Sequence, residues 1–306
     1  MFPDSPKIPF RLITSTGAKS RSDIPQDHYC RRNAQVMALT HNTIFRGLNA
    51  IYHQAPHVLP GTQNATDLLF YCAVAYDFIH NHHVTEESTY FPEIEKAAGI
   101  PGLMNANIEQ HRSLEAGLEL FRKYAEETPK EAYNADKLRR IIDGLAGPLG
   151  DHLHEEIPTI LDLHDKVSSA ALRRAYSHMH NAAEKSSNGF KTGPFVLGCQ
   201  DADFLLDGEE AVFPEVPWFV PYIVDYAVAR RHAGAWRFNP SDMHGRARRG
   251  GASAGSSTSP GSRLFVFVGW RYTPPVFAML CSLAVACVAV YLASAPIPER
   301  LLRGRG

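Results

Sequence analysis

The chain has 306 residues, of which 44% are hydrophobic, with 31 Lys and Arg against 32 Asp and Glu. This length allows one domain with extensions or two small domains, and the apolar content suffices for a sizeable core. A formal net charge of −1 excludes the basic surface of a nucleic-acid-binding protein, so no nucleic-acid partner is expected.

Four helical stretches dominate the first half of the chain. Residues 1–25 lack apolar periodicity and are predicted to be a flexible lead-in. Helical periodicity and start and stop signals then predict helices at about 27–53, 66–98, 103–127 and 134–165. Because the connections are short, the prediction is an all-α, up-down four-helix bundle over residues 26–167.

The second half of the chain changes in composition. An amphipathic helix is predicted from Ser168 to Lys185, within an irregular segment 168–249 that is rich in proline and aromatic residues and wraps the bundle. A Gly/Ser-rich linker follows at 250–272. A short basic tail ends the chain at 298–306.

Residues 273–297 are uncharged and mostly apolar, which is long enough to cross a bilayer core of about 30 Å. The pattern predicts one transmembrane helix in a single-pass, tail-anchored membrane protein. More arginines precede this span than follow it, which places the bundle on the cytosolic side. Nothing in the sequence selects the organelle.

Histidine is the unusual residue of this sequence. There are 15 histidines, and most lie between His28 and His180, in the part predicted to be helical. Histidine is the commonest metal ligand in proteins. The five cysteines are scattered without a CxxC motif, which argues against a structural zinc site and against a disulfide framework.

Each predicted bundle helix carries an inward apolar stripe that ionisable side chains interrupt once. The interruption is a lone histidine on the first helix and a His-x-x-x-Glu pair on each of the others. The seven residues are His41, His83, Glu87, His111, Glu115, His152 and Glu156. Buried without partners, such groups would cost several kcal/mol each, which is more than a typical domain can sustain. The pattern therefore predicts a dinuclear metal centre. Imidazole and carboxylate ligands without thiolate favour iron, with manganese as the alternative.

The sequences around these positions resemble the hemerythrin-like, or HHE cation-binding, family. The resemblance rests on HNTIFRGL, HHVTEESTYFPEIE, EQHRSLEAGL and DHLHEEIPTILDL, and covers about residues 27–166. It implies a hemerythrin-like bundle with two iron ions and the seven residues above as metal ligands. The later stretch WRFNPSDMHGR resembles extensions of fungal members.

The expected ligand set departs from that of oxygen-carrying hemerythrins, which use five histidines and two carboxylates. Glu115 stands where their third helix has a second histidine. An additional anionic ligand is expected to stabilise ferric iron and lower the reduction potential. Iron holding, redox sensing or oxidation chemistry is then favoured over reversible oxygen carriage.

Neighbouring residues leave alternatives open. The adjacent register of the second helix pairs His82 with Glu86 on a more mixed face. His80, Glu86 and Glu155 are candidates for an outer layer that orients the ligands, and His80 is also a candidate substitute ligand. His154 faces away from the stripe of the fourth helix and is predicted to be exposed.

Three functions fit this sequence. The first is a dinuclear iron protein that binds dioxygen or a related diatomic and handles or senses iron or oxygen at a membrane. The second is a di-iron oxidase or peroxidase-like enzyme, although no nucleophile motif or nucleotide-binding loop is visible. The third is a metal-responsive interaction module, for which the sequence names no protein partner.

Overall fold

The computed structural model describes residues 8–248, and most of them are helical. The bundle is built from α1 (Tyr29–Gln54), α2 (Gln63–Thr85), its continuation α3 (Phe91–Ala98), α4 (Asn105–Glu127) and α5 (Ala135–Leu161). Helix α1 packs against α2 and α5, and α4 packs against the same two helices, so the four long helices surround one core. The prediction of an all-α helical bundle is confirmed.

The bundle helices begin within one to three residues of the predicted positions. Side-chain caps fix two of these starts: the Thr62 hydroxyl accepts from the Ala65 amide, and Asn134 Oδ1 accepts from the Lys137 amide at 2.8 Å. Such caps satisfy amides that have no partner inside the helix. Gly99, at φ 68°, ends α3 in the left-handed conformation that glycine adopts readily.

A second group of elements packs outside the bundle. It comprises α6 (Ser169–Ser186), α7 (Gly189–Cys199), β1 (Leu205–Leu206), β2 (Glu209–Glu210), α8 (Val220–Ile223) and α9 (Ala233–Trp236). The two strands form an antiparallel hairpin. Helices α6 and α7 both contact α1 and α2, so residues 169–199 cover one side of the bundle.

The N-terminal residues 8–25 are held on the bundle surface, although their composition alone indicates a lead-in. Phe10 and Ile13 are buried. The Asn42 side chain accepts from the Ile13 amide at 2.8 Å and donates to the Ile13 carbonyl at 2.9 Å. Asp207, in the β1–β2 turn, accepts from the Thr16 amide and hydroxyl. Individual contacts hold this segment on the bundle, and such contacts leave no periodic pattern in the sequence.

Among residues 8–248, no helix combines the length and the apolar character needed to cross a membrane. The predicted transmembrane helix 273–297, the linker 250–272 and the tail 298–306 all lie outside the described residues.

Candidate metal centre

Helix α2 and its continuation bring two adjacent histidines to the core. The buried positions around them include Cys72, Ile79, His82, His83, Glu86, Tyr90, Phe91 and Ile94. Glu86 lies one regular helical turn after His82 and points inward, whereas Glu87 lies at the surface. Each further step of four rotates a regular α-helix by about 40°, which would carry Tyr90 and Ile94 away from the face of Glu86. A π turn at Glu86–Tyr90, closed by the Phe91 amide on the Glu86 carbonyl, absorbs this rotation.

Helix α4 presents only one ligand candidate. Its buried stripe is Asn107, His111, Leu114, Leu118, Phe121, Tyr124 and Ala125. After His111 the stripe continues three residues on, at Leu114, and Glu115 falls about 40° beyond His111, on the side away from Leu114. Glu115 is exposed to solvent.

Helices α1 and α5 follow the predicted stripes. His41 is fully buried on α1, and His152 and Glu156 are 1% and 0% exposed on α5. Helix α5 runs through Pro148 and Pro158 without interruption, so neither proline displaces these side chains.

Seven buried side chains from the four helices converge in two adjoining groups. One group is His83, His111 and His152, and the other is His41, His82, Glu86 and Glu156. Within each group, all the candidate ligand atoms lie within 4.8 Å of one another. The combined set has five histidines and two carboxylates.

The closest ligand atoms are spaced like neighbours in one coordination shell. The Nε2 atoms of His111 and His152 are 3.0 Å apart, and those of His41 and His82 are 3.1 Å apart. Two donors at right angles, each about 2.1 Å from one ion, are separated by about 3 Å. Glu86 faces both groups, with Oε1 at 3.4 Å from His82 Nε2 and Oε2 at 3.6 Å from His111 Nε2. Its carboxylate is therefore placed to bridge two ions.

Outer hydrogen bonds fix which nitrogen three of these histidines present to the centre. His41 Nδ1 donates to the Leu153 carbonyl at 2.7 Å, and His111 Nδ1 donates to Glu87 Oε1 at 2.7 Å. His152 Nδ1 donates to Gln110 Oε1 at 3.0 Å. With the proton on Nδ1, each Nε2 lone pair points inward, as a metal ligand requires.

Burial favours the neutral form of three histidines of the centre. Burial lowers the pKa of His152 to about 3, and it lowers the pKa values of His82 and His83 well below their usual range. The Nε2 atoms of His111 and His152 lie only 3.0 Å apart, a spacing that a cation between them would satisfy. Neutral imidazoles with inward lone pairs are ready to coordinate without first losing a proton.

The two carboxylates of the centre have opposite pKa shifts. Burial, reinforced by the nearby Glu156 carboxylate, raises the pKa of Glu86 well above its usual range. Burial also raises the pKa of Glu156, but the surrounding histidines together outweigh burial and lower this pKa to about 2. Cations would satisfy both carboxylates, which otherwise repel each other.

Orphaned polar atoms test whether metal ions fit this site. His83 Nε2 and all four carboxylate oxygens of Glu86 and Glu156 are buried and have no hydrogen-bond partner among residues 8–248. Each orphaned buried group costs roughly 1–3 kcal/mol, and more when it is charged. Cations supply the missing partners, so the donor set fits a pair of metal ions.

The structure brings together five of the seven expected ligands: His41, His83, His111, His152 and Glu156. It does not bring Glu87 or Glu115 into the cluster, and it adds two residues in their place, His82 and Glu86. The less favoured α2 register, His82 with Glu86, is thus the one that faces the centre. The corrected set has two carboxylates, so no third carboxylate is present in it to lower the reduction potential of bound iron.

The candidates for an outer layer are distributed differently than expected. Glu86 moves into the cluster, and Glu87 takes the outer position on His111. Glu155 accepts from Gln110 at 2.7 Å and so orients the amide that holds His152. His80 is exposed and stacks on Tyr76, outside the cluster.

His154 is exposed, as predicted, and it bonds the Arg11 carbonyl at 3.0 Å. It therefore helps to hold the N-terminal segment on α5 and takes no part in the cluster.

Comparison with known proteins agrees with the helical bundle and with cation binding. Residues 33–163 match the family model of the hemerythrin HHE cation-binding domain. The chain is also similar to the dimeric xanthone biosynthesis cluster protein R11 of Cryptosporiopsis sp. (strain 8999), with 34% identity over 243 residues. That match covers 79% of this chain and 90% of the relative. No solved structure matches significantly.

The chain therefore belongs to the hemerythrin HHE cation-binding family. Its relative is a fungal biosynthesis cluster protein. Its cluster of histidines and glutamates is suited to holding metal cations.

Proposed function

We propose that this protein holds two iron ions between five histidines and two glutamates and binds dioxygen or another diatomic there. The observation that carries the proposal is the convergence of seven buried donors in two adjoining groups, with Glu86 facing both. Imidazole and carboxylate donors without thiolate suit iron, and manganese is the alternative ion. Ferrous ions in such a site would supply an electron-rich centre to which a diatomic can bind.

The burial of the centre favours a small ligand over a bulky one. The most exposed of the seven side chains, His82 and His83, are only 8% and 6% exposed. A diatomic can reach such a site through small fluctuations of the packing. A bulky substrate would have to separate the helices that carry the ligands.

An oxygenation experiment tests this function. The full chain is loaded with ferrous iron without air, exposed to dioxygen and then purged with argon. We expect a visible absorption band that appears with dioxygen and fades on purging. The Glu86→Gln variant should lose the band, and Glu115→Gln, altered only at the surface, should keep it. A wild-type spectrum that does not respond to dioxygen would contradict the proposal.

A second candidate function is a di-iron oxidoreductase, and the name of the fungal relative favours it because it describes a biosynthesis cluster protein. In this case the same centre would act on a substrate during biosynthesis. The experiment above separates the two candidates. An enzyme would consume dioxygen irreversibly, and consumption would accelerate with substrate present.

We also propose that residues 273–297 anchor the protein to a membrane, with the bundle on the cytosolic side. The support is the uncharged apolar run and the excess of arginines before it. Carbonate extraction of membranes that contain the full chain tests this: an anchored protein stays in the pellet, whereas release into the supernatant would contradict the anchor.

A further inference from the structure

A row of exposed aromatic side chains lies on the C-terminal segment, outside the bundle. Trp218 is 77% exposed, Tyr222 46% and Tyr226 65%. The rings of Trp218 and Tyr222 are 6.2 Å apart, and Tyr226 follows one helical turn later. We call these three residues the aromatic row. Large aromatic side chains this exposed generally mark a surface that meets another phase or a partner.

The aromatic row adjoins the place where the described chain ends. The Tyr222 ring packs against His244, with ring centroids 4.5 Å apart, and the description ends four residues later, at Arg248. From there, 24 residues (249 to 272) lead to the uncharged stretch 273–297. Gly/Ser-rich sequences of that length typically span about 25–30 Å, so we expect the row to stay near whatever holds 273–297.

The charges around the row suit the surface of an anionic bilayer. Arg230 continues the four-residue spacing of the row, and Arg246 follows His244; both are exposed. Glu215, the acidic residue before the row, is paired with Arg32 at 2.6 Å. Asp225 is exposed beside Tyr226. Because a carboxylate is costly to remove from water, this part of the surface fits the hydrated headgroup region of a bilayer and does not fit its acyl chains.

We propose that the aromatic row lies in the headgroup region of the membrane that holds residues 273–297, with Arg230 and Arg246 against anionic lipid. Tryptophan and tyrosine favour this region because their rings are apolar and their N–H or O–H groups stay hydrated. Arginine adds attraction to anionic headgroups. The inference rests on the membrane anchor of the proposed function and adds which face of the protein meets the bilayer.

Tryptophan fluorescence tests this placement in the full chain, reconstituted into phosphatidylcholine–phosphatidylserine vesicles with or without brominated lipid. The Trp270→Phe variant retains Trp218 and the buried Trp236. We expect its emission to fall by up to about twofold in brominated vesicles, since one of its two tryptophans lies at the bilayer. The matched Trp218→Phe/Trp270→Phe variant should show no such loss.

Each other outcome overturns the placement in a distinct way. If brominated lipid does not reduce the emission but aqueous acrylamide quenches it, Trp218 is exposed to water and does not contact the bilayer. Emission that escapes both quenchers would mean that residues 273–297 or a second copy of the chain covers the row. A chain that does not remain with the vesicles would refute the anchor itself, and the docking with it.

Discussion

The adjacent residues Glu86 and Glu87 provide the sharpest mutational contrast in this protein. Glu86 is fully buried and faces both ligand groups, whereas Glu87 is 41% exposed at its side chain and accepts a hydrogen bond from His111 Nδ1. Glu86→Gln removes the negative charge that faces both ligand groups. Glu87→Gln keeps an oxygen that can accept from His111 and loses only the negative charge behind that ligand.

The expected magnitudes follow from these positions. Loss of an outer partner typically costs 10–100-fold in metal affinity, or about 1.4–2.7 kcal/mol, so we expect a loss near the lower end for Glu87→Gln. For Glu86→Gln we expect a loss of more than about 100-fold and the release of at least one ion, because a metal ligand itself is removed. Glu115→Gln should match the wild type.

Competition with a calibrated chelator, followed by metal analysis of the protein, measures all three variants. Circular dichroism checks that the helices persist. A larger loss in Glu87→Gln than in Glu86→Gln would refute the assignment of the two roles. A loss of metal in Glu115→Gln would return that residue to the ligand set.

Two further predictions concern stability. In the metal-free protein, stability should fall as the pH drops from 6.5 to about 4.5, because the unfolded chain protonates His82, His83 and His152 while burial keeps them neutral in the fold. Glu86, whose pKa is raised, opposes this with one proton against three, so the net effect is a loss of stability toward lower pH, and urea titrations that give a flat profile would contradict it. Gly198→Ala should cost about 1–3 kcal/mol by urea unfolding, because a Cβ there would lie 1.9 Å from Asn239 Nδ2. The control, Gly144→Ala on α5, has no heavy atom within 4 Å and should stabilise by about 0.5–1 kcal/mol; equal effects at the two sites would refute the packing argument.

The stripes of α1 and α5 were predictable because both helices keep regular α geometry through the centre. His41 has buried neighbours at Met37 and Ile44, and Glu156 has them at His152 and Ile160, all at three- or four-residue spacing. Regular periodicity is sufficient where nothing disturbs the rotation of the helix.

The choice between the two registers of α2 is what residue spacing left open. His82 with Glu86 and His83 with Glu87 are both one regular turn apart, and the first pair lies on the more mixed face. The π turn after Glu86 keeps Tyr90 and Ile94 on the face of Glu86, and a π turn is not recognisable from residue spacing.

The spacing of α4 contains a signal for the exposure of Glu115. Leu114 lies three residues after His111 and continues the apolar spacing toward Leu118 and Phe121, whereas Glu115 interrupts it. A helix with this spacing presents one ligand candidate, His111, because the next turn of its buried face is apolar.

The central claim is that the cluster of five histidines and two glutamates holds two metal ions. The most direct measurement is the metal content of the purified full chain, equilibrated with ferrous iron without air and freed of loosely bound ions, combined with X-ray absorption at the iron edge. The account predicts two iron ions per chain with only nitrogen and oxygen neighbours. One ion or none, or sulfur neighbours, would contradict it.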